Sequence, residues 1–266
     1  MGAALGIFWY RVLRIRRGVV ASNLATALPD RAADHGDIAR EVFRNTGANG
    51  MELIRLHSMS RDEISPLVEE RHKERYEEVL DRGRGAIVVT AHMGNFDLLA
   101  CSQAAAGVPL AIVSRELGSG GTNRFWMETR RKAGLEIFPQ DAALKRSLKW
   151  LRAGKVLGLV VDQRTPPSRG GVKVPFLGAP AWTSTLAARL ALRTGAAILP
   201  VRMERLGRGR HGMVVEEEIR VGEWAGAGDD GVIPLTREIN HRIEGWVMRD
   251  PGAWMWLHRR FIDEYK

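Results

Sequence analysis

Between residues 36 and 82 apolar side chains recur at helical spacing among many charges: Ile38, Val42 and Phe43, then Met51, Leu53, Ile54 and Leu56. Pro66 interrupts the pattern, and "KERYEEVLDRG" reads as one more helix, capped by Gly83. The segment is expected to be a helical lead-in. After Gly85 the texture changes to short apolar runs separated by amphipathic stretches: "AIVVTA" then "NFDLLACSQAA", "PLAIVS" then "TNRFWMETRRKAG", "LEIFP" then "AALKRSLKWLRAG", and "VLGLVV" before a Pro/Gly loop. "WTSTLAARLALRTG" and "AAILPVRM" repeat the alternation, "GMVVEEEIRVG" reads as an edge strand and "PLTREINHRIEGWVMR" as a helix. Five-residue runs alternating with helical patterns predict an α/β fold: a central, mostly parallel sheet flanked by helices. No internal repeat or linker divides the chain, so one domain is expected over residues 1–266, with 1–82 as the lead-in and 83–266 as the core. The loop "DQRTPPSRGGVKVPFLGAPAW" is too long for a mere connection, and its "VPFLG" is expected to pin it to the core.

Composition narrows the setting. Cys101 is the only cysteine, which excludes a disulfide framework and a cysteine zinc cluster. With 40 Lys and Arg against 31 Asp and Glu the chain carries +9, a charge that attracts anionic membrane lipids, nucleic acid or an acidic carrier protein. Nucleic acid is set aside, because no recognisable binding motif accompanies the basicity. The start, "MGAALGIFWYRVLRIRRGVV", has ten uncharged residues ending in Phe8, Trp9 and Tyr10, then Arg11, Arg14, Arg16 and Arg17 within seven positions. That run is well short of the ~20 residues a membrane span needs, and its charge follows the apolar part, unlike a secretory signal. It suits an interfacial anchor with aromatics at headgroup level; the competing reading is a first helix whose aromatics enter the core.

"GAIVVTAHMGNFDLLA", residues 85–100, carries the candidate chemistry. Seven His and twelve Asp in a chain of this length produce an H-x-x-x-x-D match about 0.3 times by chance, so the bare pattern is weak. Three matches occur: His57 with Asp62, His92 with Asp97, and His258 with Asp263. Only His92 follows a strand-like run, with Gly94 and Asn95 supplying a turn before an amphipathic helix. Ligands of open α/β sheets bind outside the carboxyl ends of strands, where His92 is expected. A turn could return the Asp97 carboxylate to one imidazole nitrogen, leaving the other to take a proton from a substrate hydroxyl. Alternatively, Asp97 caps the helix and His92 is a satisfied core histidine. No G-x-S-x-G elbow or H-E-x-x-H is present, and Cys101 lies inside the following helix, so neither an enzyme nucleophile nor a metal is expected.

The blocks around this pair resemble a known family. "TAHMGNFD" is similar to the catalytic block of the bacterial lipid A late acyltransferases, the lauroyl and myristoyl transferases, and of their relatives that acylate mannosylated phosphatidylinositol. "RRGVVASNLATALPD", "SREL", Arg130, "KAGLEIFP", the block from "LVVDQR" to "AAILPV", and "PGAWMWLHRRF" continue the likeness in order from about residue 16 to 261. The resemblance implies a glycerolipid acyltransferase-like fold, with His92 as general base and Asp97 as its charge partner. It implies an O-acyl transfer from an acyl carrier protein or coenzyme A thioester to a hydroxyl of a lipid A precursor or related glycolipid, with no cofactor. The setting implied is the cytoplasmic face of a bacterial inner membrane, peripheral or monotopic. Substrate contacts are expected from Gly94 and Asn95 at the turn and from Arg115 and Arg164 on phosphate, with Asp162 and Gln163 organising the loop at the strand end. Trp254, Trp256 and His258 are expected to anchor packing, with arginines pointing outward. Arg164 departs from the residue many members carry after the Asp-Gln pair, which leaves acceptor identity open. A lysophospholipid or glycerolipid acyltransferase shares the mechanism, but its usual "EGTR"-like block is absent. A non-catalytic membrane or carrier-binding protein and a hydrolase using water as acceptor are the readings from other classes.

Overall fold

The computed structural model describes residues 1–114, 120–207 and 209–262. The lead-in comprises α1 (Gly2–Phe8), a π-helical turn at Trp9–Leu13, α2 (Arg17–Ala27), α3 (His35–His57) and α4 (Arg61–Ile64), followed by β1 (Val68–Arg71) and α5 (Lys73–Asp81). The alternating part comprises β2 (Ala86–Thr90), α6 (Phe96–Ala105), β3 (Leu110–Ser114), α7 (Gly121–Lys132), β4 (Glu136–Pro139), α8 (Ala143–Arg152) and β5 (Val156–Val160). A hairpin of β6 (Gly171–Phe176) and β7 (Ala179–Ser184) precedes α9 (Leu186–Thr194), β8 (Ala197–Gly207), β9 (Arg210–Val215) and α10 (Val232–Arg249).

Seven strands form one sheet in the order β1-β9-β8-β2-β5-β3-β4, parallel throughout except for the β8–β9 pair. Alternate residues of the central strands face opposite layers, as strand geometry requires. Ile87, Val89, Leu157, Leu159 and Ile198 meet a layer that includes α2, α8, α9 and α10. Ala86, Val156, Ala197 and Leu199 meet the layer of α4, α5 and α6. Burial on both faces explains why these strands read as continuous apolar runs. A fully buried side chain such as Leu157 contributes about 1.5–3 kcal/mol.

The sheet departs from the sequence reading at three places. Val68–Arg71, inside the expected helical lead-in, is a strand that pairs in parallel with β9. The "GMVVEEEIRVG" strand is internal, between β1 and β8, so the edges are β1 and β4. Within the long Pro/Gly loop, β6 and β7 pair as an antiparallel hairpin, held to the core by Val174 and Phe176.

At the start of the chain, α1 lies directly on α3: a Cβ on Gly6 would sit 2.0 Å from the Phe43 carbonyl oxygen. Trp9 and Tyr10 pack against Phe43, with ring centroids 5.1 and 5.5 Å away. These two aromatics therefore turn inward, and only Phe8 of the expected aromatic trio is exposed, beside Leu5, Val12, Leu13 and Ile15. Among the described residues no helix is long and apolar enough to cross a membrane.

Candidate active site

β2 and β5 are parallel neighbours in a register that sets Thr90 opposite Val160. Two residues beyond, the same register brings His92 and Asp162 together. The connection after β2 runs through α6 on one face of the sheet and the connection after β5 reaches α9 on the other. Divergence of this kind opens a crevice at the carboxyl ends of the strands.

The Asp162 carboxylate grips His92 twice. Its Oδ2 accepts the His92 backbone N–H at 2.9 Å, and its Oδ1 lies 2.7 Å from Nδ1. The Trp254 indole N–H donates to Oδ2 at 2.6 Å. Burial raises the Asp162 carboxyl, but the charge of His92 and these hydrogen bonds outweigh it and bring it down to about 2. An ionised carboxylate at Nδ1 fixes the proton there and leaves the Nε2 lone pair as the basic site. The Gln163 amide nitrogen stands 3.1 Å from Nε2, where it donates to that lone pair. The imidazole keeps 17% of its surface exposed, whereas the Asp162 side chain keeps 1%: a base reachable from outside, backed by a carboxylate that is not.

Asp97 has a different occupation. Its Oδ1 accepts from Arg130 Nε at 3.0 Å and Nη2 at 2.7 Å, and from the Trp126 indole at 2.9 Å. Arg130 also donates to Ser114 Oγ and lies over the Trp126 ring. This nearly buried pair ties the first turn of α6 to α7. The expected return of Asp97 to the imidazole is therefore corrected: in the first turn of a helix its side chain is carried toward α7, while strand register delivers Asp162. Sequence reasoning missed Asp162 as the partner because β3 and β4 lie between β2 and β5 in the chain.

Gly94 and Asn95 are held from within the protein. Gly94 adopts φ +56°, and a Cβ there would lie 2.5 Å from the Met203 carbonyl oxygen. Its N–H donates to Ala253 O, and its carbonyl accepts from Asn49 Nδ2 at 2.6 Å. Asn95 caps α6 by accepting the Leu98 N–H and donates to Glu52 Oε2 at 2.7 Å. Glu52 in turn binds Arg205 and lies 3.3 Å from His211 Nε2. Burial raises the Glu52 carboxyl, yet His211, Arg205 and Asn95 together lower it to about 2. The polar groups expected at the substrate are thus committed to shaping the turn.

The closing block approaches the site more closely than the anchor expected of it. Met255 N–H donates to His92 O, and Met93 and Trp254 form an antiparallel bridge, so this segment lies along the turn that carries His92. His258 Nε2 accepts the Arg164 N–H at 3.1 Å, and burial is the main cause that lowers its imidazole to about 4, keeping it neutral at pH 7. The Arg164 guanidinium reaches the C-terminal segment, donating to Ile262 O. Arg260, expected to point outward, is buried: it donates to Trp182 O and Thr183 Oγ1 and lies 4.8 Å from the Phe176 ring centroid. Arg115 and Asp263 lie outside the described residues.

Neither alternative chemistry gains support from the geometry. His57 stacks on Phe125 and bonds Thr129 Oγ1. The Cys101 thiol is fully buried and pushed up to about 12 by that burial. A cleft of about 850 Å³ opens at the opposite edge, beside Gly85 and Gly195, and is lined by Arg and Glu of both signs rather than by the dyad.

The phosphatidylinositol mannoside acyltransferase of Mycolicibacterium smegmatis is 25% identical over 245 residues, covering 90% of this chain and 78% of the relative. That of Mycobacterium tuberculosis strain H37Rv is 26% identical over 256 residues, covering 95% and 74%. The model of the bacterial lipid A biosynthesis acyltransferases matches residues 1–262, and the chain is an acyltransferase belonging to that family.

Proposed function

We propose that the protein transfers a fatty acyl chain from a thioester to a hydroxyl of a lipid A precursor or related glycolipid, at the cytoplasmic face of a bacterial inner membrane. The observation that carries the reading is the His92–Asp162 pair at the carboxyl edge of the sheet, an oriented base whose Nε2 meets the Gln163 amide and, among the described residues, no serine or cysteine side chain. The family match and the acceptor named for the two relatives support a glycolipid.

The acceptor hydroxyl displaces the Gln163 amide from His92 Nε2 and gives its proton to that nitrogen as its oxygen attacks the thioester carbonyl. Asp162 stabilises the imidazolium that forms. The tetrahedral oxyanion is met by the positive end of α6, because the Gly94 N–H is already bonded to Ala253 O. Collapse breaks the carbon–sulfur bond, and the proton on Nε2 passes to the departing thiolate, giving an ester and a free thiol. The donor is a coenzyme A or acyl carrier protein thioester, and no cofactor enters the balance.

Mass spectrometry of a bacterial lipid extract incubated with acyl donor and either native protein or His92→Ala tests the reading. One glycolipid gaining one acyl mass with native protein alone is the expected result. Free fatty acid in place of acylated lipid would replace the transferase with a hydrolase.

A further inference from the structure

Beside the dyad stands an imidazole whose proton has no recipient among the described residues. His258 Nε2 accepts the Arg164 N–H at 3.1 Å. A backbone amide only donates, so Nε2 carries the lone pair, and a neutral ring then holds its proton on Nδ1. Burial is the main cause that lowers this imidazole to about 4, so the ring is neutral at pH 7. Nδ1 has no hydrogen-bond partner among the described residues, and the residue keeps part of its surface open.

The ring is held firmly in this place. Asn23, buried in α2, donates to Trp256 O at 2.8 Å and to His258 O at 2.7 Å. Just upstream, the Met255 N–H donates to His92 O. With its backbone and its Nε2 fixed at separate points, His258 presents Nδ1–H as a preorganised donor. An N–H removed from much of its water and left unpaired costs free energy, which an incoming substrate oxygen recovers.

Position and chemistry select that oxygen. The Gln163 amide stands 3.1 Å from His92 Nε2, in the place the acceptor hydroxyl takes during transfer. Arg164 follows directly, so the imidazole bonded to its N–H flanks that place, close enough for the charges of Asp162 and His92 both to act on it. In the proposed reaction the thioester oxygen turns to α6, which follows β2, whereas His258 belongs to the loop after β5, on the acceptor's side. The cations of the same blocks are engaged elsewhere: Arg260 donates to Trp182 O and Thr183 Oγ1, and Arg164 reaches Ile262 O. A phosphate calls for arginine, while a neutral donor suits an uncharged oxygen.

We propose that His258 is a binding residue for the acceptor: its Nδ1–H donates to an uncharged oxygen of the acceptor sugar, a hydroxyl or the ring oxygen, next to the hydroxyl that His92 deprotonates. The proposal rests on the transferase reading and deepens it, adding a residue that orients the acceptor and leaves proton transfer to the dyad. A second contact beside the reacting hydroxyl fixes its angle of attack.

Two substitutions separate the two nitrogens of the ring. Asparagine sets an amide N–H where Nδ1 stood and leaves Nε2 empty, whereas glutamine sets its carbonyl at Nε2, able to take the Arg164 N–H, and leaves Nδ1 empty. Initial rates of acyl-lipid formation are followed by mass spectrometry, with palmitoyl donors on coenzyme A and on acyl carrier protein and a bacterial lipid extract, each varied in turn. Circular dichroism gives the melting temperatures. His258→Gln is expected to melt near native protein and to lose about tenfold in kcat/KM for the extract, with the KM for the palmitoyl donor unchanged. His258→Asn is expected to melt lower, because the Arg164 N–H loses its acceptor, yet to keep transfer within about threefold of native. A histidine that only supports the loop gives the opposite order, Gln active and Asn impaired, and that result overturns the proposal, as does a loss in His258→Gln confined to the donor's KM. Failure of the transferase reading looks different: native protein that acylates no lipid from either donor removes the reading and the proposal with it, whereas the order of the variants in an active enzyme decides His258 alone.

Discussion

Two aspartates near one histidine have different work, and substitution separates them. Asp162→Asn keeps the shape of the carboxylate but lets an amide N–H face Nδ1, so the imidazole proton moves to Nε2 and the base is lost. Transfer is expected to fall about 10³–10⁴-fold in kcat, with melting temperature changed far less than activity. Asp97→Asn instead weakens a nearly buried ion pair and leaves Arg130 poorly compensated, at a cost of about 3–5 kcal/mol that thermal unfolding would show first. If Asp97→Asn stayed fully stable and Asp162→Asn fully active, the assignments would have to be exchanged. Acid supplies a second test. With its carboxyl lowered to about 2 in the folded protein, Asp162 contributes stability that is complete above about pH 4 and is lost as pH falls toward 2. That contribution is about 2 kcal/mol. Urea unfolding at pH 5 and pH 3 is expected to show a smaller drop for Asp162→Asn than for native protein; Glu52, lowered to the same region, supplies the part that remains.

At the level of elements, the turn that carries His92 is shaped by backbone constraint. Gly94→Ala adds a Cβ against the Met203 carbonyl and requires a left-handed conformation, so about 1–3 kcal/mol of stability and most of the activity are expected to go together. An active, undiminished Gly94→Ala enzyme, judged by melting and turnover, would mean that the turn relaxes without moving His92. The same elements show what could be read in advance. The strands at 86–90, 110–114 and 156–160 were legible because burial on both faces leaves unbroken apolar runs. β1 was not, since "VEER" alternates with charge and becomes a strand only by pairing with β9, more than a hundred residues later. His92 stood out by its place after a strand. Its partner did not, because the order of strands within a sheet is a property of the fold and leaves no local spacing in the chain. Arg260 was misjudged for a related reason: its burial depends on the β7 backbone carbonyl and hydroxyl that receive its N–H groups.

Across the whole molecule, the densest exposure of large apolar side chains lies at the start of the chain, which gives that segment its own testable role. Leu5, Phe8, Val12, Leu13 and Ile15 are each at least half exposed, although glycine contacts hold α1 firmly on α3. Arg11, Arg14, Arg16 and Arg17 are interspersed with them, and Arg14 and Arg16 take left-handed backbone angles that break the helix into short pieces. Large apolar side chains exposed on a rigid support and surrounded by arginine are suited to the boundary between headgroups and acyl chains. Such a docking site would bring the carboxyl edge close to a lipid acceptor, because α3 runs from the α1 contact at Phe43 to Asn49 and Glu52 beneath the catalytic turn. The two components should separate in vesicle co-sedimentation. Arg11→Gln with Arg14→Gln is expected to weaken binding to anionic vesicles about thirtyfold at low salt and to have little effect on neutral ones. Phe8→Asp with Leu13→Asp is expected to weaken both at every salt concentration, because it removes the inserted surface. Binding unaffected by either pair would move the membrane contact away from the start of the chain and leave those exposed side chains for another partner.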